Sequence, residues 1–513
     1  MSATTGILAS PSWLHRRELA AYPAAGARRA HLLLVVAITI VLYYELYVSG
    51  GVATLMLEHF HMSFNYLVGI LAVGNLAGAF ASLAAGLCDR FGRANLVVFG
   101  LLIVAVLILA IPYSPDKFTY GVLASLVALV EGVILVATPA LIRDFSPQVG
   151  RATAMGFWTI GPVLGSLAVS MMTTLTLPTF KTWESQFFIC GAAGVVMSVV
   201  AFLFLRELAP SLRDQIMVSL RDQALVEARA RGIVAVDLHA PFRQLMHLDI
   251  IGSALGVSVL LLFYYTTVAF GTIYMATIFH FTLAQANALA NWTWACNAVS
   301  LVAAGLLSDR LGVRKPFMLI GGAGAAVLTT LFLLEAGQQP SWGTLVALSC
   351  GQSVMVAFAY TTWMASFTET VEARNPALTA TGLAIWGWLL RLVVTAAFLA
   401  IPYVIDTVTP LIESGPTLAA LAQAQATHTA PSPEVMAQLG VIQKAAADSP
   451  GQWRTWYWIC TAGIVAFVAS VFIMRGRWSP AAARADQAAH NRAVAREMAN
   501  LDTGGGSVTA LGH

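Results

Sequence analysis

Two stretches of the chain, Ala85-Gly86-Leu87-Cys88-Asp89-Arg90-Phe91-Gly92-Arg93 and Gly305-Leu306-Leu307-Ser308-Asp309-Arg310-Leu311-Gly312-Val313-Arg314, begin 220 residues apart and read alike. Each closes a long apolar run with an Asp-Arg pair, then a glycine, then an arginine. The surrounding chain is 58% hydrophobic and only 10% charged over 513 residues. A soluble domain carries about 25% charged residues, so lipid is the solvent for most of this sequence. Short charged turns between apolar runs belong at a membrane surface, and their recurrence in both halves points to duplication.

A bilayer core about 30 Å thick takes roughly 20 apolar residues per helical crossing. Twelve such runs can be laid along the chain: 31–57, 64–88, 94–113, 119–142, 152–177, 186–205, 250–278, 283–307, 316–336, 343–366, 378–403 and 455–474. The polar segment between the two sets of six contains the near-repeat Ser211-Leu212-Arg213-Asp214-Gln215 and Ser219-Leu220-Arg221-Asp222-Gln223 and suits a surface helix. The expected organisation is a cytoplasmic tail 1–30, a six-helix bundle 31–205, a central cytoplasmic loop 206–249, a second six-helix bundle 250–474 and a cytoplasmic tail 475–513. Lys and Arg concentrate on the cytoplasmic side of membrane proteins. With the N-terminus inside, cytoplasmic segments hold 23 of the 28 basic residues. The exterior holds Lys117, Lys181, Lys444 and Arg454, and Arg391 falls inside a crossing. This split places both termini in the cytoplasm and demands an even number of crossings. Segment 404–454, rich in Ala, Pro, Ser, Thr and Gln and nearly free of basic residues, is expected outside as a flexible or partly helical extension.

Several function classes drop out. The net charge of +3 is distributed by topology and is not a nucleic-acid signal. Cys88, Cys190, Cys296, Cys350 and Cys460 stand singly in apolar runs and read as small packing residues. No phosphate loop, metal-ligand cluster, nucleophile constellation or nucleotide-binding domain is present, so neither an enzyme, a cofactor, a metal site nor an ATP-driven pump is expected. The N-terminus lacks the order of a cleaved signal peptide. Asn291-Trp292-Thr293 matches a glycosylation sequon but falls within a crossing.

The paired stretches resemble the GxLxDRxGRR signature of the major facilitator superfamily, in both halves at the corresponding positions. Ala85 replaces the first Gly, Ala94 the final basic residue, and Val313 an Arg of the second copy. The resemblance implies an all-α integral membrane fold of twelve transmembrane helices, in two pseudo-symmetric six-helix bundles around a central cavity, working by alternating access. It also makes Asp89, Arg90, Gly92, Arg93, Asp309, Arg310, Gly312 and Arg314 gating residues. Glycine permits the tight turn, while Asp and Arg satisfy helix termini and pair across the cytoplasmic gap. Duplication shows again where Arg151-Ala152-Thr153-Ala154-Met155-Gly156 and Ala377-Leu378-Thr379-Ala380-Thr381-Gly382 open the fifth and eleventh crossings. The stretch Arg143 to Arg151, with Asp144-Phe145-Ser146-Pro147, resembles the sugar and organic-acid branches. Gly161-Pro162-Val163-Leu164-Gly165 resembles part of the GPxxGG signature of drug/proton antiporters, with Ser166 in place of the last Gly.

Function rests on three ionisable residues inside crossings: Glu45, Glu131 and Arg391. Such a side chain costs at least about 2.5–3.5 kcal/mol at the bilayer centre and is tolerated in a wet or paired interior. They lie in helices one, four and eleven, which by resemblance border the cavity, whereas the peripheral helices three, six, nine and twelve carry none. Tyr43-Tyr44-Glu45-Leu46-Tyr47 resembles the Tyr-Asp pair of sugar and aromatic-acid proton symporters. Glu45 is therefore the expected proton site and Glu131 the second, each with a structural pairing role as the alternative. Arg391 keeps its charge and matches a carboxylate bidentately. It either meets an anionic substrate or pairs permanently with Glu45 or Glu131. Tyr44, Tyr265, Asn297, Tyr360 and Trp388 join Arg391 as expected substrate contacts, among aromatic and polar residues that also include Tyr264, Tyr274, Asn291, Trp292, Trp294, Trp363 and Trp386. The reading is a monomeric, multi-pass carrier in the plasma membrane, as a bacterial inner-membrane protein, moving a small organic anion in symport with protons, with only lipid, substrate and protons as partners. The alternatives are a proton-coupled drug or metabolite exporter and a transporter-like sensor without flux.

Overall fold

The computed structural model describes residues 17–19, 21–82, 92–145, 159–209, 241–372, 374, 379–474, 478–481, 484–485, 488–489 and 492. Twelve long helices follow in order: α1 (Ala25–Gly51), α2 (Phe64–Ser82), α3 (Arg93–Ala110), α4 (Lys117–Phe145), α5 (Gly161–Phe180), α6 (Trp183–Phe204), α7 (Leu248–Phe279), α8 (Leu283–Leu311), α9 (Lys315–Leu334), α10 (Trp342–Glu372), α11 (Thr379–Ala400) and α12 (Pro433–Ser470). Ten of them, all but α8 and α12, are long and apolar enough by themselves to cross a membrane. Among the described residues the strands are β1 (Glu18–Leu19) and β2 (Glu207–Leu208), which pair in parallel. The all-α, multi-pass membrane architecture expected from the apolar runs is present.

The helices are built for lipid. On α3, Ala94, Val97, Val98, Leu101, Val104, Ala105 and Ile108 form a buried stripe at helical spacing, while Leu102, Ile103 and Val106 on the other side are exposed. A helix apolar on both sides has protein on one and acyl chains on the other. Many hydroxyl side chains inside the helices bond to their own backbone, because hydrocarbon offers no partner. Ser125, Thr174, Ser258, Thr267, Thr277, Thr362 and Thr461 each donate to the carbonyl four residues back.

The described chain forms two compact units. Unit 1 comprises Met1–Val48, Ala77–Gly165 and Glu184–Ile216; unit 2 comprises Ser49–Leu76, Ser166–Trp183 and Met217–His513. In unit 1, α3 packs along α4; in unit 2, α10 packs on α8 and α9, and α12 on α7 and α9. Unit 2 therefore contains the last turn of α1, most of α2 and most of α5 along with α7 to α12.

Three elements differ from the sequence expectation. The first crossing ends at Gly51, where Val52 at φ −124° and ψ 17° breaks the helix before a short turn of helix, Ala53–His59. Segment 404–454 is largely helical, with helices Val408–Ile412 and Gly415–Ala426, and α12 begins at Pro433. Ser432 caps α12 by accepting the Val435 amide at 3.3 Å, and Pro433 suits a first helical position whose N–H would be unpaired. The second charged stretch is not a loop from Gly305 onward: α8 runs through Asp309 and Arg310 to Leu311. Gly312, at φ 68° and ψ 20°, ends it by donating to the carbonyls of Ser308 and Asp309.

Candidate functional site

Unit 1 holds the acidic pair. Glu45 on α1 and Glu131 on α4 are each 1% exposed and interact electrostatically, and both act on the fully buried Cys190 of α6. Neither Glu45 carboxylate oxygen accepts a hydrogen bond among the described residues. The Glu45 carboxyl lies against Gly194 of α6. A Cβ there would collide with Oε1 and would stand 3.0 Å from the carboxyl carbon and 2.9 Å from Ala105 Cβ. Withdrawing a carboxylate from water without hydrogen bonds is costly, and a second carboxylate beside it adds repulsion. A proton on one member relieves both effects, so the pair suits proton exchange. Tyr44, 5% exposed, has a hydroxyl without a hydrogen-bond partner among the described residues and interacts electrostatically with Cys190.

Unit 2 holds the cation and a wall of rings. Arg391 on α11 is half-buried and acts electrostatically on Tyr265 of α7, which in turn couples with Tyr360 of α10. Within its own unit Arg391 has no carboxylate partner among the described residues. Tyr360 stands 6.4 Å from Trp363 and 6.2 Å from Trp386, and these two indoles are 5.4 Å apart. Both indole N–H groups are buried without a hydrogen-bond acceptor among the described residues. Arg391 and Tyr265, and Tyr265 and Tyr360, are thus within electrostatic reach of each other, and Trp363 and Trp386 stand against Tyr360. Asn297 is engaged elsewhere: its amide donates to the carbonyl and hydroxyl of Ser353 at 3.0 and 2.9 Å, fastening α8 to α10. Trp388 is half-buried on α11.

The charged stretches are built as arms. In unit 1, Gly92 at φ 86° turns the chain into α3, where the Arg93 side chain meets both Asp144 oxygens at 2.7 and 2.8 Å. The Arg93 amide donates to Glu207 at 2.8 Å. Arg17 reaches the same surface, donating to Asn95 at 3.1 Å and to the Phe202 carbonyl, with its guanidinium 4.4 Å over the Phe202 ring. In unit 2, Arg314 pairs with Asp309 at 2.7 Å and Glu369 at 3.2 Å and donates to Ser308 at 2.7 Å, while Arg310 is exposed. Asp89 and Arg90 lie outside the described residues, as do the 211–223 near-repeat and the openings at 151–156 and 377–378. Asp144 and Glu369 are partners that the charged stretches themselves do not announce, since they sit near the ends of α4 and α10.

Comparison with known proteins agrees with this architecture. Residues 35–257 match the sequence model of the Major Facilitator Superfamily. A bacterial homolog of the human lysosomal transporter Spinster, solved inward-facing and unoccupied, superposes with a TM-score of 0.63 at 13% identity, covering 88% of this chain and 98% of that one. A D-xylose-proton symporter gives a TM-score of 0.60 at 16% identity, over 86% of this chain and 96% of its own. Over residues 35–257 the chain is similar to that superfamily, and it shares the fold of these two solved transporters. Its sequence is also similar to the cis,cis-muconate transport protein of Acinetobacter baylyi, 26% identical over 137 residues. That alignment spans 27% of this chain and 31% of the relative.

Proposed function

We propose that this protein is a secondary transporter that moves a small organic anion across a bacterial plasma membrane by alternating access, in symport with protons and with both termini in the cytoplasm. The observation that carries the reading is the buried Glu45–Glu131 pair, whose mutual repulsion a single proton relieves. Arg391, which acts electrostatically on Tyr265 and has no carboxylate partner in its unit among the described residues, supplies the positive charge that an anion needs. The ring wall of Tyr360, Trp363 and Trp386, with buried indole N–H groups, suits a flat unsaturated or aromatic carboxylate. The similarity to a cis,cis-muconate transport protein supports that substrate class, and the fold shared with a D-xylose-proton symporter is compatible with proton coupling. In the cycle, Glu45 or Glu131 takes a proton, Arg391 pairs with the substrate carboxylate, and both are released on the other side.

The test is substrate-driven proton movement in proteoliposomes, with cis,cis-muconate, benzoate, xylose and a cationic amphiphile compared. A carboxylate should carry protons inward. Glu45→Gln should abolish net uptake while leaving exchange of labelled substrate, and Arg391→Ala should raise KM by at least about tenfold, the cost of a lost charge-assisted pair. Proton movement driven only by the cationic amphiphile would replace the reading with antiport of drugs. Saturable binding without counterflow would make the protein a sensor.

A further inference from the structure

The side chain of Asn75 on α2 donates two hydrogen bonds to a single turn of α11. Its amide nitrogen lies 2.9 Å from the Arg391 carbonyl and 2.8 Å from the Thr395 hydroxyl. All three residues belong to unit 2. Arg391 and Thr395 are four residues apart, so carbonyl and hydroxyl face the same side of α11. One primary amide bound to both fixes the height and the rotation of that turn together. Within unit 2 the Arg391 guanidinium has no carboxylate of its own among the described residues, so the direction in which it leaves the helix is set mainly by its backbone. That backbone is what Asn75 holds.

Other hydrogen bonds of unit 2 also join α1, α2 or α5 to the later helices. Thr272 donates to the Gly50 carbonyl at 2.8 Å, Asn287 to the Gly51 carbonyl at 2.9 Å, and Asn291 to Thr174 at 3.1 Å. None of these touches the turn that carries Arg391. We propose that Asn75 is a positioning residue for Arg391, aiming the guanidinium at the substrate and making its alignment depend on contact between α2 and α11. The inference rests on the reading of Arg391 as the substrate's anion partner. It assigns to α2 a share in substrate affinity that goes beyond fastening helices.

Full-length protein in proteoliposomes tests this with cis,cis-muconate, or with whichever carboxylate of the panel gives the largest wild-type uptake. Asn75→Ala and the near-isosteric Asn75→Asp, which lacks both donors, are compared with Asn287→Ala, a tie that leaves α11 alone. Asn75→Ala and Asn75→Asp should each raise KM about tenfold, as expected for two lost hydrogen bonds, with kcat within about threefold. Asn287→Ala should leave KM within about twofold. In the Arg391→Ala background Asn75→Ala should have no further effect on KM, because a positioning residue acts only through what it positions. Unchanged KM in both Asn75 variants, or an equal loss with and without Arg391, overturns the proposal and leaves Asn75 a helix fastener. Unimpaired transport by Arg391→Ala alone overturns the anion reading, and the proposal with it.

Discussion

At Gly194 a single hydrogen in place of a methyl group decides whether the Glu45 carboxyl has room. Gly191 on the same helix provides a control, because a Cβ there would meet the Leu109 side chain at 2.6 and 2.8 Å and no polar atom of the acidic pair. Overpacking a core costs about 1–3 kcal/mol, so both alanine variants should lower the melting temperature in detergent by similar amounts. Only Gly194→Ala should cut proton-coupled uptake, by about tenfold or more, since only it displaces the carboxyl proposed to carry the proton. Equal uptake by the two variants would separate Glu45 from the transport step. At this scale the sequence was legible in part. Glu45, Glu131 and Arg391 stand out because a charge in an apolar run needs a reason. Cys190 and Gly194 do not, because small residues in such runs are usually packing, and nothing local says that α6 lies against Glu45. Asn75 does not stand out for a similar reason: a neutral amide costs a membrane helix less than a charge does, and its partner is 316 residues away.

The two charged arms are alike in plan and unlike in depth. Arg93 joins the start of α3 to the end of α4 through Asp144, and Arg314 joins the start of α9 to α10 through Glu369. Side chains of the first pair are 12% and 8% exposed, whereas Asp309 and Glu369 are 66% and 49% exposed around an Arg314 that is 16% exposed. Removing one partner of a buried pair costs about 3–5 kcal/mol, while an exposed pair contributes roughly 0–1 kcal/mol. Arg93→Ala should therefore lower the melting temperature in detergent markedly and Arg314→Ala barely. The exchange Arg93→Asp with Asp144→Arg should recover part of the loss. Equal effects of the two alanine variants would show that solvent reaches both arms alike. The repeated arginine was readable, but its carboxylate was not, because Asp144 and Glu369 lie 51 and 55 residues further on, outside the signature. The polarity of α8 has a related explanation. Asn287, Asn291 and Asn297 lower its apolar content, and each bonds to another segment of unit 2, so the residues that weaken the membrane signal fasten the helix. In α12 the departure is one of length: 38 residues make a helix of about 57 Å, nearly twice a bilayer core. Its polar, Ala-rich first part reads as loop because nothing apolar marks it.

Across the whole molecule, hydrogen bonds from Thr272, Asn287, Asn291 and Asn75 join residues of the first six helices to the last six, and the Phe64 amide at the start of α2 donates at 3.0 Å to Thr409 of the short helix Val408–Ile412. All of them involve residues 49–76 or 166–183, which pack with the C-terminal helices in unit 2. A carrier that alternates access through the gap between its halves must break such ties once in every cycle. At about 0.5–1.5 kcal/mol net each, a handful can hold one state closed by a few kcal/mol and still open on a working timescale. Making one of them covalent should stop the cycle. With Cys296 replaced by Ala, a Thr174→Cys, Asn291→Cys pair should be bridged by an oxidant or a short bismaleimide, since the native side chains meet at 3.1 Å. Oxidised protein should lose substrate counterflow by about tenfold or more, and a reductant should restore it, with either cysteine alone unaffected. Normal counterflow by fully bridged protein would mean that α5 and α8 stay together throughout transport, and the path of the substrate would have to open somewhere else.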